Sequence, residues 1–256
     1  ASKTFVISGV PTTPGTYNYT VTATGSCLPN DLTGTITVNP DASIALTSAN
    51  SSQTVCINTP VSSISYSITG GGTGGTVTGL PAGVTGSYSG GVFTISGSPT
   101  VSGTFNYTVN TTGTCVQKSE SGTITINPDA TLSLTSAPPT PNQSLCINTA
   151  LSDITYSIGG GGSGGTVTGL PPGVTGAYNA GVFTISGSPT AVGTYPFTVT
   201  TTGICVQKTL TGTITVNPDA AIALTSAPPT NAHGLCRNSR LTSITYTITG
   251  GGTGGT

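Results

Sequence analysis

Six cysteines are the residues of this chain whose type and spacing most directly suggest chemistry. They form two recurring sets, Cys27, Cys115 and Cys205 and then Cys56, Cys146 and Cys236. Regularly spaced cysteines in small β-rich segments are typical of disulfide-bonded proteins of an oxidising, extracytoplasmic compartment. Six buried free thiols are the alternative interpretation.

Two disulfide schemes are compatible with the spacing of the cysteines. Bonds within repeats are Cys56–Cys115 and Cys146–Cys205, and bonds between repeats are Cys27–Cys56, Cys115–Cys146 and Cys205–Cys236. Loop entropy does not separate the schemes, because either bond constrains the unfolded chain by about 4 kcal/mol. In a sandwich, however, Cys56 is expected at the same end as Cys115, and a disulfide needs Cα atoms within about 7 Å. We therefore predict the pairs Cys56–Cys115 and Cys146–Cys205, with Cys27 and Cys236 paired outside these residues.

No other group of residues predicts a catalytic, metal or cofactor site. Residues 70–75 match the glycine spacing of a dinucleotide-binding loop, but a strand and a turn follow in place of the required helix. We expect a flexible loop between strands there. His233 is the only histidine and Glu120 the only glutamate, so neither a zinc site nor a catalytic triad can be assembled. We predict that the chain is not an enzyme.

One aspartate recurs where each repeat meets the next, at Asp41, Asp129 and Asp219, each after Asn-Pro. Calcium would require six to eight oxygen ligands, several of them from carboxylates. A single recurring carboxylate therefore favours a capped turn over a calcium site.

The composition excludes several classes of partner. Only 4% of the residues are charged and the net charge is −1, so no basic surface is available for nucleic acid or for anionic lipid headgroups. No apolar run is long enough to span a bilayer, and we expect no membrane insertion in this segment. The hydrophobic fraction of 34%, arranged in alternation, indicates a folded chain.

Apolar and polar residues alternate with a period of two, which predicts half-buried strands at 43–47, 64–68, 92–96, 105–109 and 123–126. Glycine- and proline-rich turns separate these segments, and none shows a helical period. About seven short strands in roughly 90 residues are typical of an immunoglobulin-like sandwich. The residues expected to face the core are Phe105, Tyr107 and Val109 and, in the next copy, Tyr195, Phe197 and Val199.

The same pattern recurs along the chain, since residues 93–100 return unchanged at 183–190, which indicates a tandem array. We divide the chain into the end of one repeat (1–40), two complete repeats (41–128 and 129–218) and the start of another (219–256). The fold class is all-β, with tandem Ig-like β-sandwich repeats of about 90 residues forming an extended rod. The sequence begins and ends within a repeat, which we interpret as an interior part of a longer protein.

Three segments carry a resemblance to a known family: GLPAGV at 79–84, GVFTISGSPT at 91–100 and GTFNYTV at 103–109. They resemble the tandem Ig-like and PKD-like repeats of giant Bacteroidota surface adhesins, among them the gliding-motility adhesins of flavobacteria. The cysteine-containing segments TVCINT and TGTC are similar to those of the same proteins. The resemblance carries no catalytic residues, and it implies secretion by the type 9 system and attachment to the outer cell surface.

Repetition and resemblance together favour a repetitive stalk segment of a cell-surface adhesin. The implied partners are a surface polysaccharide or other adhesion substratum, bound through regions outside this segment, and the cell-envelope motility and secretion machinery. A structural coat or filament with laterally packed repeats is one alternative. The other is a carbohydrate-binding or spacer module of a secreted protein, for which Tyr88 and Tyr178 are the recurring aromatic residues.

Overall fold

The computed structural model describes residues 3–25, 28–137, 140–226 and 234–255. Within these ranges the chain forms strands and turns, and no helix is long and apolar enough to cross a membrane. The chain divides into two compact units, residues 1–128 and residues 129–256. Each unit contains one eight-stranded sandwich and one two-stranded antiparallel sheet.

The first unit begins with an antiparallel hairpin of β1 (Gly15–Ala23) and β2 (Asn30–Val38). The sandwich follows, built from β3 (Ala42–Leu46), β4 (Gln53–Cys56), β5 (Ile64–Gly70), β6 (Gly72–Thr78), β7 (Val84–Ser89), β8 (Val92–Gly97), β9 (Gly103–Gly113) and β10 (Ser119–Asn127). Its two sheets have the strand orders β3-β5-β8-β7 and β4-β10-β9-β6. Neighbouring strands are antiparallel except β4 and β10, which run parallel.

Alternating residues of both sheets form the core of the first sandwich, as a half-buried strand requires. Tyr107 and Val109 are 1% and 0% exposed, and Phe105 packs against the core while remaining partly exposed. The prediction that this segment faces the core is confirmed. Other buried side chains of the two sheets include Ile64, Tyr66, Ile68, Phe93, Ile95, Ile124 and Ile126.

The second unit repeats the sandwich with β11 (Ala130–Leu134), β12 (Asn142–Cys146), β13 (Ile154–Gly160), β14 (Gly162–Thr168), β15 (Val174–Asn179), β16 (Val182–Gly187), β17 (Gly193–Gly203) and β18 (Thr209–Asn217). The sheet orders are β11-β13-β16-β15 and β12-β18-β17-β14, which reproduce those of the first unit. Phe197 and Val199 are buried and Tyr195 packs against them, as predicted. A two-stranded antiparallel sheet of β19 (Ala221–Leu224) and β20 (Tyr246–Thr249) follows.

The structure corrects the expectation of a flexible loop at residues 70–75. Gly72 to Gly75 lie in β6, which pairs with β9 through a register shift between Gly72 and Gly74. Side chains of the opposite sheet leave no room for Cβ atoms here, because a Cβ on Gly75 would lie 2.7 Å from the ring of Phe93. These glycines therefore let the two sheets approach closely.

Candidate functional site

The first of the two cysteines in the β3–β10 sandwich lies at the C-terminal end of that sandwich. Cys56 is the last residue of β4 and lies opposite Asn127, the last residue of β10. The next amide, that of Ile57, donates a hydrogen bond of 2.9 Å to the Asn127 carbonyl. Asn58 then takes a left-handed φ of 61°, and its amide donates to the Pro99 carbonyl at 2.8 Å. The backbone on the C-terminal side of Cys56 is thus fixed by hydrogen bonds.

The second cysteine of the repeat lies at the opposite end. Cys115 is in the loop between β9 and β10, and its thiol lies 3.6 Å from the carbonyl oxygen of Asn39. The neighbouring Val116 amide donates to an Asp41 carboxylate oxygen at 3.3 Å, and the Ala42 amide donates to the Val116 carbonyl at 3.0 Å. The loop that carries Cys115 is therefore fastened to the residues where the repeat begins.

The second complete repeat has the same arrangement. Cys146 lies opposite Asn217 at the end of β12, and the Ile147 amide donates to the Asn217 carbonyl at 2.9 Å. Cys205 lies in the loop between β17 and β18, where the Val206 amide donates to Asp129 Oδ1 at 3.2 Å. Each complete repeat thus carries one cysteine at each of its ends.

The predicted disulfides Cys56–Cys115 and Cys146–Cys205 are wrong. Cys115, Cys146 and Cys236 are free thiols, whereas Cys56 and Cys205 are each disulfide-bonded. The two cysteines of a repeat are separated by the nine residues of β10, which span roughly 26 Å at about 3.3 Å per residue, whereas a disulfide needs Cα atoms within about 7 Å.

The physical reason for this error is the direction of β4. The prediction placed Cys56 beside the loop that follows β9, but β4 runs parallel to β10 and therefore ends where β10 ends. The alternative bonds Cys115–Cys146 and Cys205–Cys236 are not formed either, because each would include a free thiol. Cys27, which completes that scheme, lies outside the described residues.

A buried threonine and a glutamine hold each cysteine loop, and neither residue was predicted from the sequence. Thr111, 3% exposed, donates its hydroxyl hydrogen to Gln117 Oε1 at 2.8 Å and accepts the Lys118 amide at 2.9 Å. The Gln117 amide nitrogen donates in turn to the Cys115 carbonyl at 2.7 Å. Thr201, Gln207 and Lys208 repeat these contacts around Cys205. Recurrence of Thr, Gln and Lys at matching positions was the available sequence signal.

The other candidate residues do not converge on a site. The carboxylates of Asp41 and Asp129 each accept a loop amide, and no group of three or more potential metal ligands occurs among the described residues. His233 lies outside that part of the chain. Tyr88 packs against the core and Tyr178 is 37% exposed.

The two sandwiches differ in the hydrogen bonds of three buried tyrosine hydroxyls. The Tyr107 hydroxyl donates to the Ser51 carbonyl at 2.7 Å and lies 2.8 Å from the Tyr66 hydroxyl. In the second repeat Tyr156 is buried and its hydroxyl has no hydrogen-bond partner. Burial raises the pKa of Tyr66, Tyr107 and Tyr156 above the ordinary value of 10.0.

Comparison with known sequences finds similarity to bacterial adhesins. No protein-family model matches it. The "Serine-rich adhesin for platelets" of Staphylococcus aureus (strain MRSA252) is 36% identical over 165 residues, which cover 62% of this chain and 12% of that protein. The adhesin of the same name from strain MSSA476 is also 36% identical over 165 residues, covering 62% of this chain and 7% of that protein. The chain thus spans a small fraction of the length of the curated relatives it matches.

Solved structures establish the fold. The I-band fragment I67–I69 from titin aligns with a TM-score of 0.52 and 10% identity, covering 69% of this chain and 66% of the titin chain. An E-to-A variant of the same titin domains aligns with a TM-score of 0.52 and 10% identity over 72% of this chain and 68% of its own. At this identity the likeness concerns the fold alone. The chain consists of tandem Ig-like β-sandwich repeats, as predicted from the sequence.

Proposed function

We propose that this chain is a repetitive segment of the stalk of a large cell-surface adhesin. The observation that carries the proposal is the duplication of one sandwich, with its strand order, core positions and cysteine ends preserved. Such duplication supplies length and repetition. The residues that the two repeats hold in common are packing and loop-fixing residues, which suits a spacer more than a reaction site.

The likeness to the serine-rich adhesins supports the same function at a coarse level. The sequence resemblance extends the proposal to a gliding-motility adhesin filament of the SprB type, secreted by the type 9 system and displayed on the outer cell surface. The division of this chain into four parts, at 1–40, 41–128, 129–218 and 219–256, belongs to the same proposal. Adhesion to a polysaccharide or other substratum would occur through regions outside this segment, and the cell-envelope motility machinery would move the filament.

A test is to label live, intact producing cells with an antibody raised against the repeat and to follow the label over time. A motor-driven adhesin predicts discrete surface label that travels along the cell and is lost from a strain lacking type 9 secretion. A static continuous coat would replace the proposal with a structural layer. Label found in the medium alone would replace it with a secreted protein.

The carbohydrate-binding alternative depends on the paired residues Tyr88 and Tyr178. Both rings lie beside a glycine of the adjacent sheet, with Tyr88 near Gly74 and Tyr178 near Gly164. The exposure of Tyr178 favours testing this position. Retention of the chain on a polysaccharide column that is abolished by Tyr178→Ala would support this function, whereas flow-through of the unchanged chain would exclude it for the polysaccharide tested.

A further inference from the structure

The edge strands of the first sandwich differ in how they are protected. They are β3 and β7 in one sheet and β4 and β6 in the other. Proteins protect the unpaired backbone groups of such edges with bulges, charges, prolines or covering segments. The ladder of β6 has a register shift between Gly72 and Gly74. The Ala42 amide joins β3 to the β9–β10 loop, and the Gln53 side chain joins β4 to the backbone of Ser62 in the following loop.

Among the residues that the structure describes, β7 has none of these protections. Its residues Val84–Ser89 pair with β8 in an unbroken register and include no charged residue and no proline. The equivalent strand of the second sandwich, β15 at Val174–Asn179, has the same properties. Each of these strands is hydrogen-bonded to a single neighbouring strand, so one side of its backbone faces outward.

One hydrogen bond identifies the backbone groups that face outward. The Ser98 amide donates to the Gly83 carbonyl at 3.1 Å, and these two residues lie opposite each other when the register of β7 and β8 is continued. Hydrogen-bonded pairs alternate along an antiparallel ladder, so every second residue after Gly83 bonds to β8. The amides and carbonyls of Gly86 and Tyr88 therefore point away from the sheet.

We propose that β7 and β15 are the edges at which a second copy of this chain pairs laterally, strand against strand. A strand that pairs antiparallel with its own copy is related to that copy by a twofold axis. With the axis at Ser87, Gly86 of one copy faces Tyr88 of the other, and each outward amide meets a carbonyl. Ala177 occupies the position of Ser87 in β15.

The chemistry of these edges favours a second copy as the partner. Neither strand carries a charge, so identical edges do not repel each other. The exposed side chains of β7, those of Thr85, Ser87 and Ser89, are short and leave the edge accessible. Because the same edge recurs in both sandwiches, two chains can pair at more than one edge, which strengthens weak contacts. This pairing would bundle neighbouring stalks, but the proposal does not depend on the stalk function.

The test is sedimentation velocity of the intact 256-residue chain over a range of concentrations. The mass of the unchanged chain should rise with concentration. Ser87→Lys combined with Ala177→Lys places like charges directly opposite each other in the pair and should keep the chain monomeric. The matched control, Ser121→Lys with Thr211→Lys, adds the same charge at exposed residues of the other sheet and should associate like the unchanged chain.

Two outcomes of this experiment would overturn the proposal. One is an unchanged chain that is monomeric at every concentration. The other is association that persists in the variant with both edge lysines, which would assign the contact to exposed apolar residues such as Ile36 and Ile222 in the two-stranded sheets.

A charge exchange tests whether the two edges face each other. Ser87→Glu combined with Ala177→Glu should also be monomeric alone, and mixing it with the lysine variant should restore association. Failure of the mixture to associate would contradict pairing at these edges.

Amide hydrogen exchange of the unchanged chain identifies the bonded groups. The amides of Gly86 and Tyr88 should exchange quickly in dilute solution and more slowly in concentrated solution. The Val84 amide, which donates to the Pro81 carbonyl at 3.1 Å, should exchange at the same rate in both. Equal exchange of Gly86 and Tyr88 at all concentrations would contradict the proposal.

Discussion

The two complete repeats share one architecture but differ in a buried hydroxyl network. In the first sandwich, Tyr107 donates to the Ser51 carbonyl and therefore accepts from the neighbouring Tyr66 hydroxyl. In the second sandwich the position of Tyr107 is taken by Phe197, and the Tyr156 hydroxyl is left without a partner. The sandwich thus packs in the same way without the buried hydroxyl network. Comparing the two repeats therefore separates the contribution of side-chain packing to stability from that of the hydrogen bonds.

The loop that precedes β12 accounts for the exchange of tyrosine for phenylalanine. Gly122 lies beneath the Ser51 carbonyl and the Tyr107 hydroxyl, whereas its equivalent, Gly212, lies beneath the Phe197 ring and the Cβ of Pro141. An apolar proline carbon thus replaces the carbonyl acceptor. The hydroxyl and its acceptor are lost together, as expected when an unsatisfied polar group is costly in a core.

The largest expected difference between the repeats concerns these two glycines. Gly122→Ala would place a Cβ against the Ser51 backbone carbonyl, and we expect it to lower the free energy of unfolding of the first repeat by about 3 kcal/mol. Gly212→Ala meets the ring of Phe197 and the Cβ of Pro141 in place of a backbone carbonyl, so its cost should be smaller, about 1–2 kcal/mol. Hydrogen exchange of β9 and β17 peptides in the intact chain measures each repeat separately. Equal costs would contradict the proposed difference between the glycines.

The next largest effect on stability is expected from Tyr107→Phe, which gives the first repeat the phenylalanine that the second repeat has at Phe197. This change leaves the buried Tyr66 hydroxyl and the Ser51 carbonyl without their partner, and we expect a loss of about 2 kcal/mol in the stability of the first repeat. Adding Tyr66→Phe removes the unpaired hydroxyl and should recover part of the loss. Denaturant titration followed by hydrogen exchange completes the double-mutant cycle, and strict additivity would contradict the hydroxyl–hydroxyl contact.

Removing one hydroxyl from each repeat should have opposite effects. Tyr156→Phe deletes a buried hydroxyl that has no partner, so we expect it to stabilise the second repeat by about 1 kcal/mol. Tyr66→Phe deletes a hydrogen-bonded hydroxyl and should destabilise the first repeat by about 1 kcal/mol. The sign of each change in unfolding free energy is the measurement, and the same sign in both repeats would refute the comparison.

The smallest effect expected is a difference in alkaline stability. The folded-state pKa of each of these buried tyrosines is raised above 10.0, two of them in the first repeat and one in the second. The contribution of these tyrosines to the free energy of unfolding is complete below the unfolded-state pKa. It is lost as pH rises above that value, because the unfolded chain then releases protons that the folded chain retains. Calorimetric scans below and above pH 10 should show that raising the pH lowers the unfolding temperature of the first repeat more than that of the second. The transition that Gly122→Ala shifts identifies that repeat.

The strands with alternating side chains were predictable, and the glycine-rich strand was not. Tyr107 and Val109 alternate with polar neighbours, so β9 was evident from the sequence. Gly72 to Gly75 present no alternation, and their place in β6 depends on side chains of the other sheet, such as Phe93, that fill the space above them. Long-range packing of this kind leaves no periodic signal near the glycines themselves.

The cysteines show the same limit at the candidate site. Their recurrence predicted disulfide chemistry, and two of them are bonded in the structure. Their partners depend on which end of the repeat each cysteine occupies, and that depends on β4 pairing in parallel with the strand most distant from it in sequence. Spacing along the chain contains no information on that direction.

The parallel pairing of β4 with β10 also determines how a repeat responds to tension. A pull on the two ends of the repeat draws β4 towards its N-terminus and β10 towards its C-terminus, in opposite directions along adjacent strands. The hydrogen bonds between Gln53–Cys56 and Ile124–Asn127 are then loaded in shear and must break together, whereas a hairpin pulled from its open end opens one bond at a time. The ladder of β12 and β18 is one residue pair longer, so we expect the second repeat to require the higher unfolding force.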